Sequence, residues 1–164
     1  MRFTADVGSF NGKTVVTLAG AIDEYAKFPP VTGDQDVIID FNQVKYIDPT
    51  GIKLWLAWIK PISDSRIIEF INCPKAIILQ INMVRDFLPK NAVVNSFYLP
   101  LYCESCDREQ QILLAVDFDV VIGEDESVTI ERDLSQLMEC SNNVCDVKTD
   151  VIEKKYFRFL TDKK

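Results

Sequence analysis

Residues 36–41 read "DVIIDF", an almost unbroken apolar run far too short for a helix. Such a run fits a strand buried on both faces, which needs layers packed above and below it. The segments around it supply those layers. Residues 2–8 and 13–19 have strand character, and Asn11-Gly12 between them suits a tight type I′ hairpin. Residues 20–28 hold a short helix, stopped by Pro29 and Pro30. Residues 50–60 then read as a helix, 66–72 as a strand, 75–88 as a second helix and 92–102 as a last extended segment. This alternation predicts an α/β fold, a mixed sheet with helices packed on it.

The first long helix is amphipathic. Ile52, Trp55, Leu56 and Ile59 follow the i, i+3, i+4, i+7 pattern and form the stripe that faces the sheet. Leu54 and Trp58 fall on another side. Two readings account for them: packing under the C-terminal part of the chain, or a docking surface for a partner. In the second helix Ile77, Ile81, Val84 and Leu88 make a core stripe, and Cys73 just before it reads as a small buried residue.

The helix start at "IDPTGI" is well formed on local grounds. Asp48 is a good N-cap, and Pro49 suits the first helical position, where its missing N–H costs nothing. Thr50 and Gly51 follow in the first turn. Unpaired N–H groups and the positive dipole end there would stabilise a phosphate on Thr50, while Asp48 would oppose it.

After residue 102 the texture changes. "CESC" and "CSNNVC" give Cys103-x2-Cys106 and Cys140-x4-Cys145, with 33 residues between the pairs. Two short-spaced pairs joined by a hairpin match a zinc ribbon, in which four thiolates close a tetrahedral site around one structural ion. The segment between them has two strand-like runs around the acidic turn "GEDES" at 123–127. Four plain structural cysteines are the alternative, and a redox Cys-x-x-Cys is a remoter one. The acidic flanks of the first pair would blunt thiol reactivity. A catalytic zinc is disfavoured, because four thiolates leave no open position and the chain has no histidine. The tail 153–164 carries five bases against two acids and reads as a final helix with a solvated basic face. The domain boundary falls at 96/97, separating residues 1–96 from 97–164.

Charge is divided unevenly. Residues 1–90 hold ten acids and ten bases, so the whole net charge of −7 lies in residues 91–164. An acidic half repels phosphate backbones, which argues against nucleic-acid binding. No apolar stretch is long enough to span a membrane, and the first residues lack the apolar core of a secretory signal. The cytoplasm is the expected compartment, with the five cysteines reduced.

Three motifs in order resemble the STAS domain, the family named for sulfate transporters and anti-sigma factor antagonists. They are Gly20, Ile22 and Asp23 after the second strand, the run Val37 to Asp40, and the loop Asp48 to Gly51 opening a helix. The resemblance covers about residues 1–95. It implies a regulatory binding protein and not an enzyme. It also implies a partner that is an anti-sigma factor acting as a serine/threonine kinase, with Thr50 as the phosphorylated hydroxyl. Asp48, Pro49, Thr50, Gly51, Leu54 and Trp58 would then form the partner surface. Where the family often has a second hydroxyl, this chain has Pro49, which stiffens the loop. Other members of the family are unphosphorylated subunits, for example in lipid-transport complexes.

Overall fold

The computed structural model describes residues 1–138 and 145–162. Strands β1 (Thr4–Phe10) and β2 (Lys13–Ile22) pair antiparallel from Phe10↔Lys13 to Thr4↔Ala19. The turn between them has φ of 48° at Asn11 and 76° at Gly12, the two positive values that a type I′ hairpin requires. Strand β3 (Val37–Ile47) lies parallel to β2. Helix α1 (Pro49–Ser63) leads to β4 (Ile68–Ile71), and α2 (Lys75–Met83) leads to β5 (Ala92–Val94), both strands again parallel to their neighbours. The sheet order β1-β2-β3-β4-β5 follows the chain, so the fold is a mixed α/β sheet with helices packed on it.

Its core is built by aromatic packing. Trp55 of α1 is fully buried and lies 5.5 Å from the Phe41 ring, 5.7 Å from Phe70 and 5.2 Å from Phe87. Its indole N–H donates to the carbonyl of Phe87 at 3.0 Å, so the polar edge of the ring is satisfied inside the core.

Three local expectations are corrected. Strand β3 is buried on one face, not two. Val37, Ile39 and Phe41 are buried, but Ile38 and Asp40 are only half-buried. The second face carries polar pairs instead: Lys13 bonds Glu69, which accepts from Asn95, and Asp40 accepts from Asn72 at 3.0 Å. The helix at 20–28 does not form. Strand β2 runs on to Ile22, passing an irregularity where Gly20 has φ +85°, and only one turn closes, from Ala26 N–H to the Asp23 carbonyl at 3.0 Å. A side chain at Gly20 would meet the Arg2 carbonyl oxygen at 2.3 Å, so glycine is set there by the N-terminal segment crossing the strand. The second helix ends at Met83 rather than 88, and Phe87 takes the fully buried place beyond it, while Leu88 is half-buried.

The extended segment 92–102 breaks at Asn95. Beyond it, β6 (Ser96–Cys103) and β7 (Arg108–Ala115) form an antiparallel pair. Then follow α3 (Val116–Asp119), the hairpin β8 (Val120–Ile122) and β9 (Val128–Ile130), α4 (Leu134–Leu137), β10 (Val147–Thr149), α5 (Glu153–Tyr156) and α6 (Arg158–Thr161). The acidic turn at 123–127 does join two paired strands, β8 and β9. Strand β10 adds to β6, giving a second sheet of order β10-β6-β7. The tail forms two short helices in place of one, and Tyr156 and Phe157 are buried against Phe97.

The two sheets meet at Cys73. Its N–H donates to the Ser96 carbonyl at 3.1 Å, and its carbonyl accepts from Tyr98 N–H at 2.8 Å. A single apolar cluster runs through both, from Val16 and Trp55 to Leu99, Leu114 and Phe157. Cys73 is fully buried within it, and burial pushes its thiol well above the ordinary value, so it is chemically inert.

Candidate metal centre and helix-start site

Strand β6 alternates strictly. Phe97, Leu99, Leu101 and Cys103 point inward and are fully buried, so Cys103 ends a core-facing row. It is the middle strand's last residue, level with Arg108 on β7 and Val147 on β10. The chain reverses at once through residues 104–107, where Asp107 adopts a positive φ of 49°. That tight turn carries Cys106. Cys145 arrives from the other side, two residues ahead of Val147. The sulfurs of Cys103, Cys106 and Cys145 all lie within 4.8 Å of one another, and Cys106 and Cys145 are 3.2 Å apart.

These distances suit a metal. With Zn–S bonds of about 2.3 Å, tetrahedral geometry places sulfurs roughly 3.8 Å apart, which is within about an ångström of this arrangement. The donors are soft thiolates, which favour zinc over magnesium or calcium. The three described cysteines can thus hold a metal ion. The expected fourth ligand, Cys140, lies outside the described residues.

The surroundings are polar and mixed in charge. Lys148, level with Tyr102, sits 3.3 Å from Asp146 and 3.8 Å from Glu104. The Tyr102 hydroxyl donates to Asp107 at 2.9 Å, which raises its pKa and ties the turn to the strand. These are exposed contacts and contribute little to stability each.

The helix start is built as its sequence requires. The Asp48 carboxylate accepts from Gly51 N–H at 2.7 Å, and Pro49 occupies the first helical position. The backbone of Asp48 donates to the Ile22 carbonyl at 3.1 Å. Gly51 has a reason that local patterns did not reveal: a Cβ there would lie 2.0 Å from the same Ile22 carbonyl oxygen. The glycine lets α1 approach the end of β2. Pro49 and Thr50 are exposed, while Asp48 is half-buried.

Leu54 and Trp58 are both half-buried. Trp58 packs under neither the C-terminal part nor open solvent alone. It stacks on Phe28 at 4.8 Å, and its indole N–H donates to the Pro29 carbonyl at 2.7 Å. The cover comes from the loop after β2. Its trace in the sequence is Phe28 followed by Pro29 and Pro30 in the connection 23–36.

The structure therefore brings three cysteines together from two segments 39 residues apart at Cys106 and Cys145. Asp48 to Gly51 form a separate cluster within one helical turn. No protein-family model matches the chain, and a search of curated proteins finds no relative.

Proposed function

We propose that this chain is a non-enzymatic regulatory interaction module of the STAS kind, carrying a zinc-ribbon-like C-terminal part closed by one structural zinc ion. The observation that carries the interaction reading is the contrast at the start of α1. Gly51 is buried and fixed against Ile22, while its neighbour Thr50 is exposed on the same rigid turn. A hydroxyl so presented is open to a protein kinase. The strand order, with one antiparallel strand followed by parallel strands of which β3, β4 and β5 are joined through helices, is compatible with the STAS resemblance. Pro49 and Thr50 offer the exposed contacts beside the half-buried Asp48, and the half-buried Leu54 and Trp58 continue that side of the helix. The partner is an anti-sigma factor of the serine/threonine kinase type, and the compartment is the cytoplasm.

Zinc would be held by Cys103, Cys106 and Cys145, with Cys140 as the fourth thiolate. It would act as a closed structural ion that pins β10 and the β6–β7 turn together. The full burial of Cys103 weighs against thiol-disulfide exchange, which needs an accessible thiolate. No helix among the described residues is long and apolar enough to cross a membrane.

Pro49 favours a second reading, a constitutive scaffold or subunit of a larger complex. Proline at the first helical position, beneath a capped turn, resists the reshaping that a kinase imposes on its substrate. A pull-down from native cells with phosphosite mapping, repeated with Thr50→Ala and Thr50→Asp, separates the two. The switch reading expects phosphate on Thr50 and at least tenfold different partner affinity between the variants. Equal binding by both and an unmodified Thr50 favour the scaffold.

A further inference from the structure

Strand β1 is the outer strand of the five-stranded sheet, and nothing among the described residues bonds its outward backbone. Exposed edges are normally blunted by lysine, proline or a bulge. This one, "TADVGSF", has only Asp6. It pairs without interruption along seven residues, while the opposite edge strand, β5, has three. Two large apolar side chains are left in the open on it: Val7 is 49% exposed and Phe10 64% exposed.

We propose that β1 is a homodimerisation edge, pairing antiparallel with β1 of a second copy about a two-fold axis at Val7. The hairpin determines which groups are available. The type I′ turn bonds Phe10 to Lys13, so by antiparallel alternation Gly8, Asp6 and Thr4 also bond β2. The N–H and C=O groups of Ser9, Val7 and Ala5 therefore point outward. An axis at Val7 matches these groups to one another: Val7 pairs with the second copy's Val7, and Ala5 with its Ser9. It sets Asp6 opposite Gly8, which avoids facing two like charges, and Phe10 opposite Thr4. Val7 lies opposite Val16, a fully buried residue of the core face, so its side chain extends that apolar face past the edge of the sheet. The Val7–Val7 contact covers it. The half of the chain bearing this edge carries no net charge, so the −7 of residues 91–164 stays remote from the axis in sequence. The pairing is self-complementary, as an isologous interface requires, and this favours a second copy over an unrelated strand.

Sedimentation velocity of the full chain over a concentration series tests this. The expected result is a weight-average mass rising from 18.7 kDa towards twice that value. Val7→Lys, which sets a charge on the edge, should weaken dimerisation at least tenfold with thermal unfolding of the monomer unchanged. Val7→Cys tests the register without depending on that variant. The two Val7 positions would stand about 5.5 Å apart, suitable for a disulfide, whereas two Phe10 positions would be roughly 20 Å apart. Val7→Cys should cross-link under mild oxidation faster than wild type or Phe10→Cys. A chain that stays monomeric at about 1 mM, a dimer indifferent to Val7→Lys, or equal cross-linking of Val7→Cys and Phe10→Cys overturns the proposal.

Discussion

The two larger sheets of this molecule are held together by different means. The five-stranded sheet is organised around Trp55, whose ring meets Phe28, Phe41, Trp58, Phe70 and Phe87. The three-stranded sheet buries a row on β6 together with Ile112 and Leu114 of β7, and the hairpin β8–β9 buries no residue fully. Its far end, where β10 adds only three residues to β6, lies at the cysteine cluster. Aromatic packing on one face, with polar pairs on the other, holds the first sheet. At the far end of the second only Cys103 reaches the core, and the three converging sulfurs are chemically suited to staple it.

The largest expected effect breaks this contrast at its metal side. Removal of zinc by a chelator, or Cys103→Ser, should destabilise the protein by at least about 5 kcal/mol, because a structural metal contributes its binding energy to folding. For a chain of this length that lowers the melting temperature by roughly 10–20 °C. Amide exchange should rise first at Val147–Thr149 and around residues 104–107, with β2 to β4 still protected. Metal analysis should return one zinc per chain. Purified protein without zinc, or a Cys103→Ser variant of unchanged stability, would refute the staple.

The complementary break is Trp55→Ala. It leaves a cavity among five aromatic rings and strands the Phe87 carbonyl, at an expected cost of about 3–5 kcal/mol. Here chemical denaturation should show the loss, while zinc content stays at one per chain. If Trp55→Ala released the metal as readily as Cys103→Ser, the two sheets would not be distinct in what holds them.

Much of this division was legible in the chain. Asn11-Gly12 announced the hairpin, and the stripe on α1 placed Trp55 and Ile59 inside, where both are buried. The spacing of the cysteines anticipated the approach of Cys103, Cys106 and Cys145. The failures share a cause: the deciding partner lies far away in sequence. Residues 20–28 carry helical propensity, but Gly20 must accommodate the Arg2 carbonyl, and β2 runs on. Asp40 and Glu69 marked the open face of the sheet, yet their partners Asn72, Lys13 and Asn95 are distant, so the run looked buried on both sides. Phe28 covers Trp58 from thirty residues away along the chain, beyond the reach of helical periodicity. The continuity of the apolar cluster across residue 96 is likewise a tertiary fact, made by Cys73 reaching Ser96 and Tyr98.

The smallest expected effect tests the seam between the two sheets. Tyr156 sits there with its ring 6.3 Å from Phe97, its hydroxyl donating to the Tyr98 carbonyl and its own carbonyl accepting from Asn82 at 2.9 Å. Burial raises its pKa far above the ordinary value of 10.0. The neutral phenol is thus the form the fold holds. In the unfolded chain the proton leaves near pH 10, while the folded chain keeps it. Between those two values the native state binds the extra proton, so this contribution is complete below pH 10 and is lost as pH rises beyond it. Tyr156→Phe should cost about 1 kcal/mol at neutral pH, the net value of one hydrogen bond plus an orphaned carbonyl. It should also flatten the fall in stability above pH 10. Urea unfolding of both proteins from pH 7 to 11 measures the two effects together. Parallel curves would mean that the seam does not depend on this hydroxyl, and that the join between the sheets rests on Cys73 and the apolar cluster alone.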